Sequence, residues 1–170
     1  MNRKDGKIFD IRLAQEADIP FILNMIHALA QYEKMDDQVV ATPELLAEWL
    51  FRKQTAQALI GEEDGRPVAF ALFFYNFSTF LGRAGIYLED LFVLPEMRGR
   101  GYGRALLARL ASIAKKSGCG RLEWCCLDWN RPSIDFYLSL DAQPMDDWTI
   151  YRMEGNRLEE LAGQDDDRVK

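Results

Sequence analysis

The run from Tyr87 to Arg109, YLEDLFVLPEMRGRGYGRALLAR, reads as a strand, a turn rich in arginine and glycine, and then an amphipathic helix. Leu88, Leu91, Phe92, Val93 and Leu94 form a nearly continuous apolar run, as a strand buried on both faces requires. Pro95 stops it, because proline has no N–H to give to a ladder. The turn follows as Arg98-Gly99-Arg100-Gly101-Tyr102-Gly103. Leu106, Leu107, Leu110, Ile113 and Ala114 then recur at three- and four-residue spacing, the apolar stripe of a helix.

The turn has the chemistry of an anion cradle. Its glycines let backbone approach a ligand and adopt positive φ. The first helical turn offers free amides and the positive end of the helix dipole. Arg98, Arg100 and Arg104 add cationic donors, so a phosphorylated ligand, and a pyrophosphate in particular, fits best. Gly-x-Gly alone reads equally well as a turn with solvated arginines. The buried strand before it and the clean helix after it favour the anion site. No Gly-Lys-Ser/Thr follows, so it is not a Walker loop, and its glycines are placed differently from a dinucleotide fingerprint.

Working outward, 170 residues suffice for one domain with a substantial core. No repeat, linker or low-complexity block interrupts the chain, so residues 1–162 are expected as a single domain and 163–170 (GQDDDRVK) as a charged, disordered tail. A hydrophobic content of 48% and a charged content of 28% are those of an ordinary soluble protein. No apolar run would span a membrane and the N-terminus lacks a signal-peptide core, which makes the cytoplasm the expected location. A net charge of −6 argues against general nucleic-acid binding and is compatible with a cationic substrate. Cys119, Cys125 and Cys126 have no C-x-x-C spacing, so neither a disulfide framework nor a zinc site is expected, and Cys125 and Cys126 read as core residues of a strand. The single histidine, His27, reads as structural. One histidine leaves little to build a metallohydrolase or a Ser-His-Asp hydrolase from.

Along the chain, Ile8–Leu13 alternates as a strand, and Asp18 with Pro20 starts a helix whose apolar face is Ile19, Ile22, Ile26 and Leu29. Thr42-Pro43 starts a second, with Leu45, Leu46, Trp49 and Leu50 as its buried stripe. Gln57–Gly61 and Val68–Tyr75 read as strands around the turn Glu63-Asp64-Gly65-Arg66, and residues 76–85 as a loop. Arg121–Leu127 is a strand expected to run parallel to the central one. Pro132-Ser133 opens a helix with Ile134, Phe136, Tyr137 and Leu140, and Trp148–Met153 reads as a last strand. The order gives a mixed α/β fold on a central sheet.

Arg98-x-x-Gly101-x-Gly103 resembles motif A of the GNAT N-acetyltransferase superfamily, whose loop holds the pyrophosphate of acetyl-CoA. Tyr32-Glu33, Tyr87-Leu88-Glu89-Asp90, the cradle, and Asp128-Trp129-Asn130 with Tyr137 stand in the order and spacing of the diamine (spermidine/spermine) acetyltransferases and their thialysine-acetylating relatives. The resemblance runs over residues 11–161. Ser78-Thr79, Gly82-Arg83 and Leu127–Asn130 look more like the thialysine type. There are departures: Asp141 stands where relatives carry glycine, and the segment between Gln54 and Val68 is shorter than in animal members. Asp tolerates the left-handed conformation, so the fold is expected to survive.

The resemblance implies the GNAT fold, a central mixed twisted sheet flanked by helices, and direct acetyl transfer from acetyl-CoA to an amine without a metal. Glu89 would take the amine's proton, directly or through water, and the Tyr137 hydroxyl would protonate the departing thiolate. A backbone N–H near Leu91, Phe92 and Val93 would hold the oxyanion. Arg98, Gly99, Arg100, Gly101, Tyr102, Gly103 and Arg104, with Asn130, Arg131, Pro132 and Ser133, would contact acetyl-CoA. Tyr32, Glu33, Glu89, Asp90, Glu123, Trp124 and Cys125 would face the amine, their acidic groups binding a second ammonium. Read as residues alone, Tyr137 is first a core aromatic beside Ile134, Glu89 a charge at a strand edge only as the weaker reading, Asn130 and Ser133 helix caps as well as ligands, and Glu123 and Trp124 equally outward strand residues. Paired acids inside an apolar run are costly unless they serve a purpose. The family implies a homodimer with the C-terminal strand near the interface. A peptide or protein N-acetyltransferase and a non-catalytic CoA-binding module remain the alternatives.

Overall fold

The strands lie in the sheet in the order in which the chain makes them. In the computed structural model, which describes residues 2–4 and 6–165, these are β1 (Asn2–Lys4), β2 (Lys7–Leu13), β3 (Gln57–Glu63), β4 (Arg66–Ser78), β5 (Arg83–Val93) and β6 (Leu122–Trp124). All neighbours are antiparallel except β5 and β6, which are parallel. This is the mixed sheet the sequence called for. The chain divides into two compact units, Met1–Cys125 and Cys126–Lys170.

In the first unit, α1 (Ile19–Glu33) and α2 (Pro43–Leu46, continued by a π turn over Ala47–Arg52) cover one face of the sheet. Ile19, Ile22, Met25, Leu46 and Leu50 pack there on Ala58, Ile60, Phe70 and Phe92. The helix α3 (Tyr102–Lys116) runs against β2 to β6 and buries Leu106 and Leu110 completely. Gly61 permits one close approach: a Cβ there would lie 2.6 Å from Phe9 Cζ. Phe9 instead lies flat over β3 and stacks on Tyr102, ring centroids 3.9 Å apart.

Several sequence expectations need correction. Leu45 and Trp49 are each 47% exposed, while Leu46 and Leu50 are buried. The π turn adds residues per turn from Ala47 onward and rotates Trp49 out, where Lys53 Nζ sits 3.9 Å from its ring centroid. Asp18 starts α1 but does not cap it, because its carboxylate takes two bonds from Arg12 and one from the Gln15 amide. The supposed loop at 76–85 is mostly strand: Asn76 pairs with Gly85 and Ser78 with Arg83, leaving a short turn. With Phe77 63% exposed and glycines nearby, that ribbon carries no burial signal to read. Strand β6 ends at Trp124, so Cys125 is exposed and Cys126 half-buried, and neither points into a core from a strand.

The second unit contains α4 (Arg131–Leu138) and α5 (Asn156–Ala162). α4 stops before Leu140, and Asp141 takes a φ of 60°, the left-handed conformation expected at that position. The segment Trp148–Met153 forms no strand. Its alternating pattern is a strand pattern, but a strand needs a ladder partner, and among the described residues none pairs with it. Trp148, Ile150 and Tyr151 are 70%, 68% and 92% exposed. α5 follows at once. Residues 166–170 of the expected tail lie outside the described residues.

Candidate functional site

The ladder between β4 and β5 slips once. Leu72 pairs with Asp90, but the next residue, Phe73, pairs with Leu88, so Glu89 is the extra residue of a β-bulge. The slip has two consequences. The first concerns backbone amides, which point to alternate edges along a strand. The Ile86 amide donates to Arg121 O on the β6 side, and the Leu94 amide to Val68 O on the β4 side. Positions 86 and 94 have the same parity and would share an edge without the bulge. Counting back from Leu94, the amides of Leu91 and Val93 therefore face the β6 edge. The β5–β6 pairing stops at Leu88 and Trp124, so these amides lie beyond the end of β6.

The second consequence is electrostatic. Asp90 shares a face with its partner Leu72, which packs under α1. Half-buried there, its carboxyl is pushed up to about 6, first by burial and then by the charges of Glu89 and Glu33. Burial also raises Glu33, at the end of α1. Tyr87 is raised by burial, by its hydrogen bond to Cys125 Sγ (2.9 Å), and by the charges of Glu89 and Glu123. Carboxylates from α1, β5 and β6 thus crowd one face of the sheet at the point where β6 ends. Asn76 Nδ2 and Arg121 Nε both hold Glu123 Oε2, at 2.8 Å each.

The cradle lies beyond Val93. Gly99 and Gly101 have φ of 75° and 87°, and nothing within 4 Å would meet a Cβ on either, so the concave side of the loop is open. The Tyr102, Gly103 and Arg104 amides begin α3 and have no acceptor within the helix. Open space, left-handed glycines and a helix N-terminus fit a phosphate group. Three arginines serve unequally. The Arg98 guanidinium lies over the rings of Tyr32 and Phe92, 5.1 Å from each centroid, and its Nε donates to Val93 O. Arg98 therefore joins the cradle to the α1 end, where Tyr32 and Glu33 stand. Arg100 NH1 donates to Glu63 at 2.7 Å, and the buried Tyr102 hydroxyl donates to the same carboxylate. Alongside is a cavity of about 300 Å³ lined by Lys7, Phe9, Arg100, Gly101, Tyr102, Arg104, Ala105 and Ala108.

The other candidates belong to the second unit. Asn130 is 6% exposed and caps α4, its side chain accepting from the Ser133 amide. Arg131 is bridged to Asp135 at 3.0 Å, and Pro132 stands in the first turn. Tyr137 is half-buried, its ring 5.3 Å from that of Phe136. Within the first unit, the structure brings Tyr32, Glu33, Glu89 and Asp90 to one end of the sheet and Glu123 and Cys125 to Tyr87. Trp124 is half-buried at the last β5–β6 pair. The sequence reading missed Glu63, which holds the cradle from the end of β3 and whose only signal was a charge closing an apolar strand; Lys7, at the start of β2, pairs with Glu63 at 2.6 Å and not with the cradle. His27, read as structural, bonds Asp36 Oδ1 at 2.8 Å.

Comparison with known proteins gives a consistent result. The Acetyltransferase (GNAT) family model matches residues 22–141. A thialysine N-epsilon-acetyltransferase of Bos taurus is 38% identical over 166 residues, covering 91% of this chain and 97% of that protein. An L-ornithine N5-acetyltransferase of Arabidopsis thaliana is 30% identical over 197 residues, covering 89% and 86%. Among solved structures, an integron cassette protein of V. cholerae superposes with a TM-score of 0.75 at 27% identity, covering 91% of this chain and 97% of that one. Among the described residues no helix is long and apolar enough to cross a membrane.

Proposed function

Because this chain belongs to the Acetyltransferase (GNAT) family, whose members are acetyl-CoA-dependent, we propose that it transfers acetyl from acetyl-CoA to a primary amine of a small polyamine or lysine-like (thialysine) substrate. The observation that carries the substrate class is the crowding of Glu33, Glu89 and Asp90 around the β5 bulge. Asp90, whose proton affinity is raised by burial and then by the charges of Glu89 and Glu33, is relieved by a cation placed beside it, and a diamine supplies one ammonium to be held and one amine to react. The names of those relatives, a thialysine and an L-ornithine acetyltransferase, describe amines of that kind.

The chemistry needs few groups. A lysine-like ammonium, with a pKa of about 10, must lose a proton before it attacks. Glu89, exposed on the bulge, takes it directly or through one water. The amine nitrogen bonds to the thioester carbonyl carbon, and the oxyanion lies against the Leu91 or Val93 amide. The C–S bond breaks, the thiolate takes its proton from Tyr137, the residue that the family resemblance assigns, and the second proton of the attacking nitrogen restores the phenol. The Tyr102, Gly103 and Arg104 amides would hold the pyrophosphate, and the family resemblance assigns Asn130 to Ser133 to acetyl-CoA as well. The enzyme works as a homodimer whose interface includes Trp148–Met153, whose exposed apolar side chains support that role.

The test is CoA release from acetyl-CoA against spermidine, spermine, putrescine, thialysine, lysine and a histone-tail peptide. Turnover with a small amine, and intersecting double-reciprocal lines, are expected. Turnover with the peptide alone would transfer the reading to a protein acetyltransferase. Acetyl-CoA binding without any turnover would leave a CoA-binding module.

A further inference from the structure

Glu63 ends β3 with its side chain only 6% exposed. Three donors from three places meet on its carboxylate: Lys7 Nζ at 2.6 Å, Arg100 NH1 at 2.7 Å, and the Tyr102 hydroxyl. The Lys7 bond, then the Tyr102 bond, hold its pKa down to about 2, so it stays charged across the working pH range. Two of these donors belong to the cradle. Arg100 lies between Gly99 and Gly101, and Tyr102 is the first residue of α3. Arg100 NH2 also reaches Glu96 O at 3.4 Å, and the Tyr102 ring stacks on Phe9.

A loop with left-handed glycines loses much conformational freedom when it orders around a ligand. An anchor on either side of Gly101 meets that cost before the ligand arrives. The same geometry makes Arg100 a strut turned to a buried carboxylate, not a cation turned to the open side. We propose that Glu63 is a positioning residue for acetyl-CoA: by gripping Arg100 and Tyr102 it presets the backbone amides of the cradle for the phosphates. This rests on the proposed function, since it presumes that the cradle holds acetyl-CoA. Lys7 lies outside the cradle and serves only to balance the charge of Glu63.

The experiment compares the full-length protein with Glu63→Gln and Lys7→Met by calorimetric titration of acetyl-CoA and by steady-state kinetics. Glu63→Gln keeps the shape but turns an amide towards donors. Its Kd and KM for acetyl-CoA are expected to rise roughly tenfold, with kcat at saturation and the KM for amine unchanged. Lys7→Met is expected to stay within about twofold of wild type in acetyl-CoA affinity, because the grip on the cradle remains. A plain structural ion pair would lower the melting temperature in both variants without the selective change in acetyl-CoA binding. Should Glu63→Gln fail to fold, Tyr102→Phe removes one hydroxyl and keeps the ring stack, and a rise of roughly threefold in Kd is expected. Unchanged acetyl-CoA affinity in Glu63→Gln, or in Tyr102→Phe where that variant stands in, overturns the inference and leaves the proposed function standing. So does an equal rise in Glu63→Gln and Lys7→Met. A wild type that does not bind acetyl-CoA overturns both.

Discussion

Replacing Asp90 by Asn should make the protein more stable at pH 8 and no more stable in acid. The carboxyl is raised from 3.8 to about 6 by burial and by its acidic neighbours. A carboxyl whose folded pKa lies above its unfolded one contributes stability that is complete below the unfolded value and is lost as pH rises through the folded one. Here the loss runs between about pH 4 and pH 7. At about 1.4 kcal/mol per pKa unit the full window is about 3 kcal/mol. Roughly half of it falls between pH 5 and pH 8, and the partial exposure of Asp90 reduces that to about 1 kcal/mol. For a chain of this size, that moves the melting temperature by about 2–4 °C. The assay is thermal melting of wild type and Asp90→Asn at pH 5 and pH 8 in the same buffer. The advantage of the variant should widen by that amount at the higher pH. An equal difference at both pH values would refute the reasoning, because Asp90 would then hold its charge in the fold without cost. The cost also has a functional meaning: an acid kept ionised against its environment is one that a cation relieves, so Asp90→Asn should raise the KM for a diamine.

Other consequences follow from the same geometry. Gly101→Ala meets no neighbour, but its φ of 87° disfavours a Cβ; a stability loss of about 1 kcal/mol and weaker acetyl-CoA binding are expected by melting and calorimetry. Phe70 is fully buried under α1 and α2, so Phe70→Ala should cost about 3–5 kcal/mol and lower the melting temperature by about 10 °C. Joint replacement of Trp148 and Tyr151 by Ser should convert the proposed homodimer to a monomer in sedimentation velocity; a wild type that is itself monomeric would remove the dimer, and an unchanged dimer would remove that segment from the interface.

The parts of the fold that depend on local pattern were legible. The apolar run of β5, the glycines of the turn and the stripe of α3 each carry their own period. Asp64-Gly65 announces its hairpin, and both residues have positive φ. What escaped depends on partners. The bulge at Glu89 leaves no mark in a run that reads as straight strand, although it turns the amides of Leu91 and Val93 to the β6 edge. The grip of Glu63 on the cradle joins the end of β3 to the start of α3, residues that only the packing of the helix on the sheet brings together. Trp148–Met153 has a strand's alternation but no partner strand among the described residues. The roles of Arg100 and Arg98 were equally hidden, since sequence counts charges and does not show which carboxylate or ring already holds them.

The central claim is that the bulge presents Glu89 as the base for an amine while Tyr137 supplies the returning proton. The most direct measurement is kcat/KM with the best small amine, across pH, for wild type, Glu89→Gln and Tyr137→Phe, alongside acetyl-CoA affinity for each. A fall of roughly a hundredfold in both variants is predicted, with acetyl-CoA affinity unchanged. Turnover of Glu89→Gln at the wild-type rate, with the same profile, would contradict it.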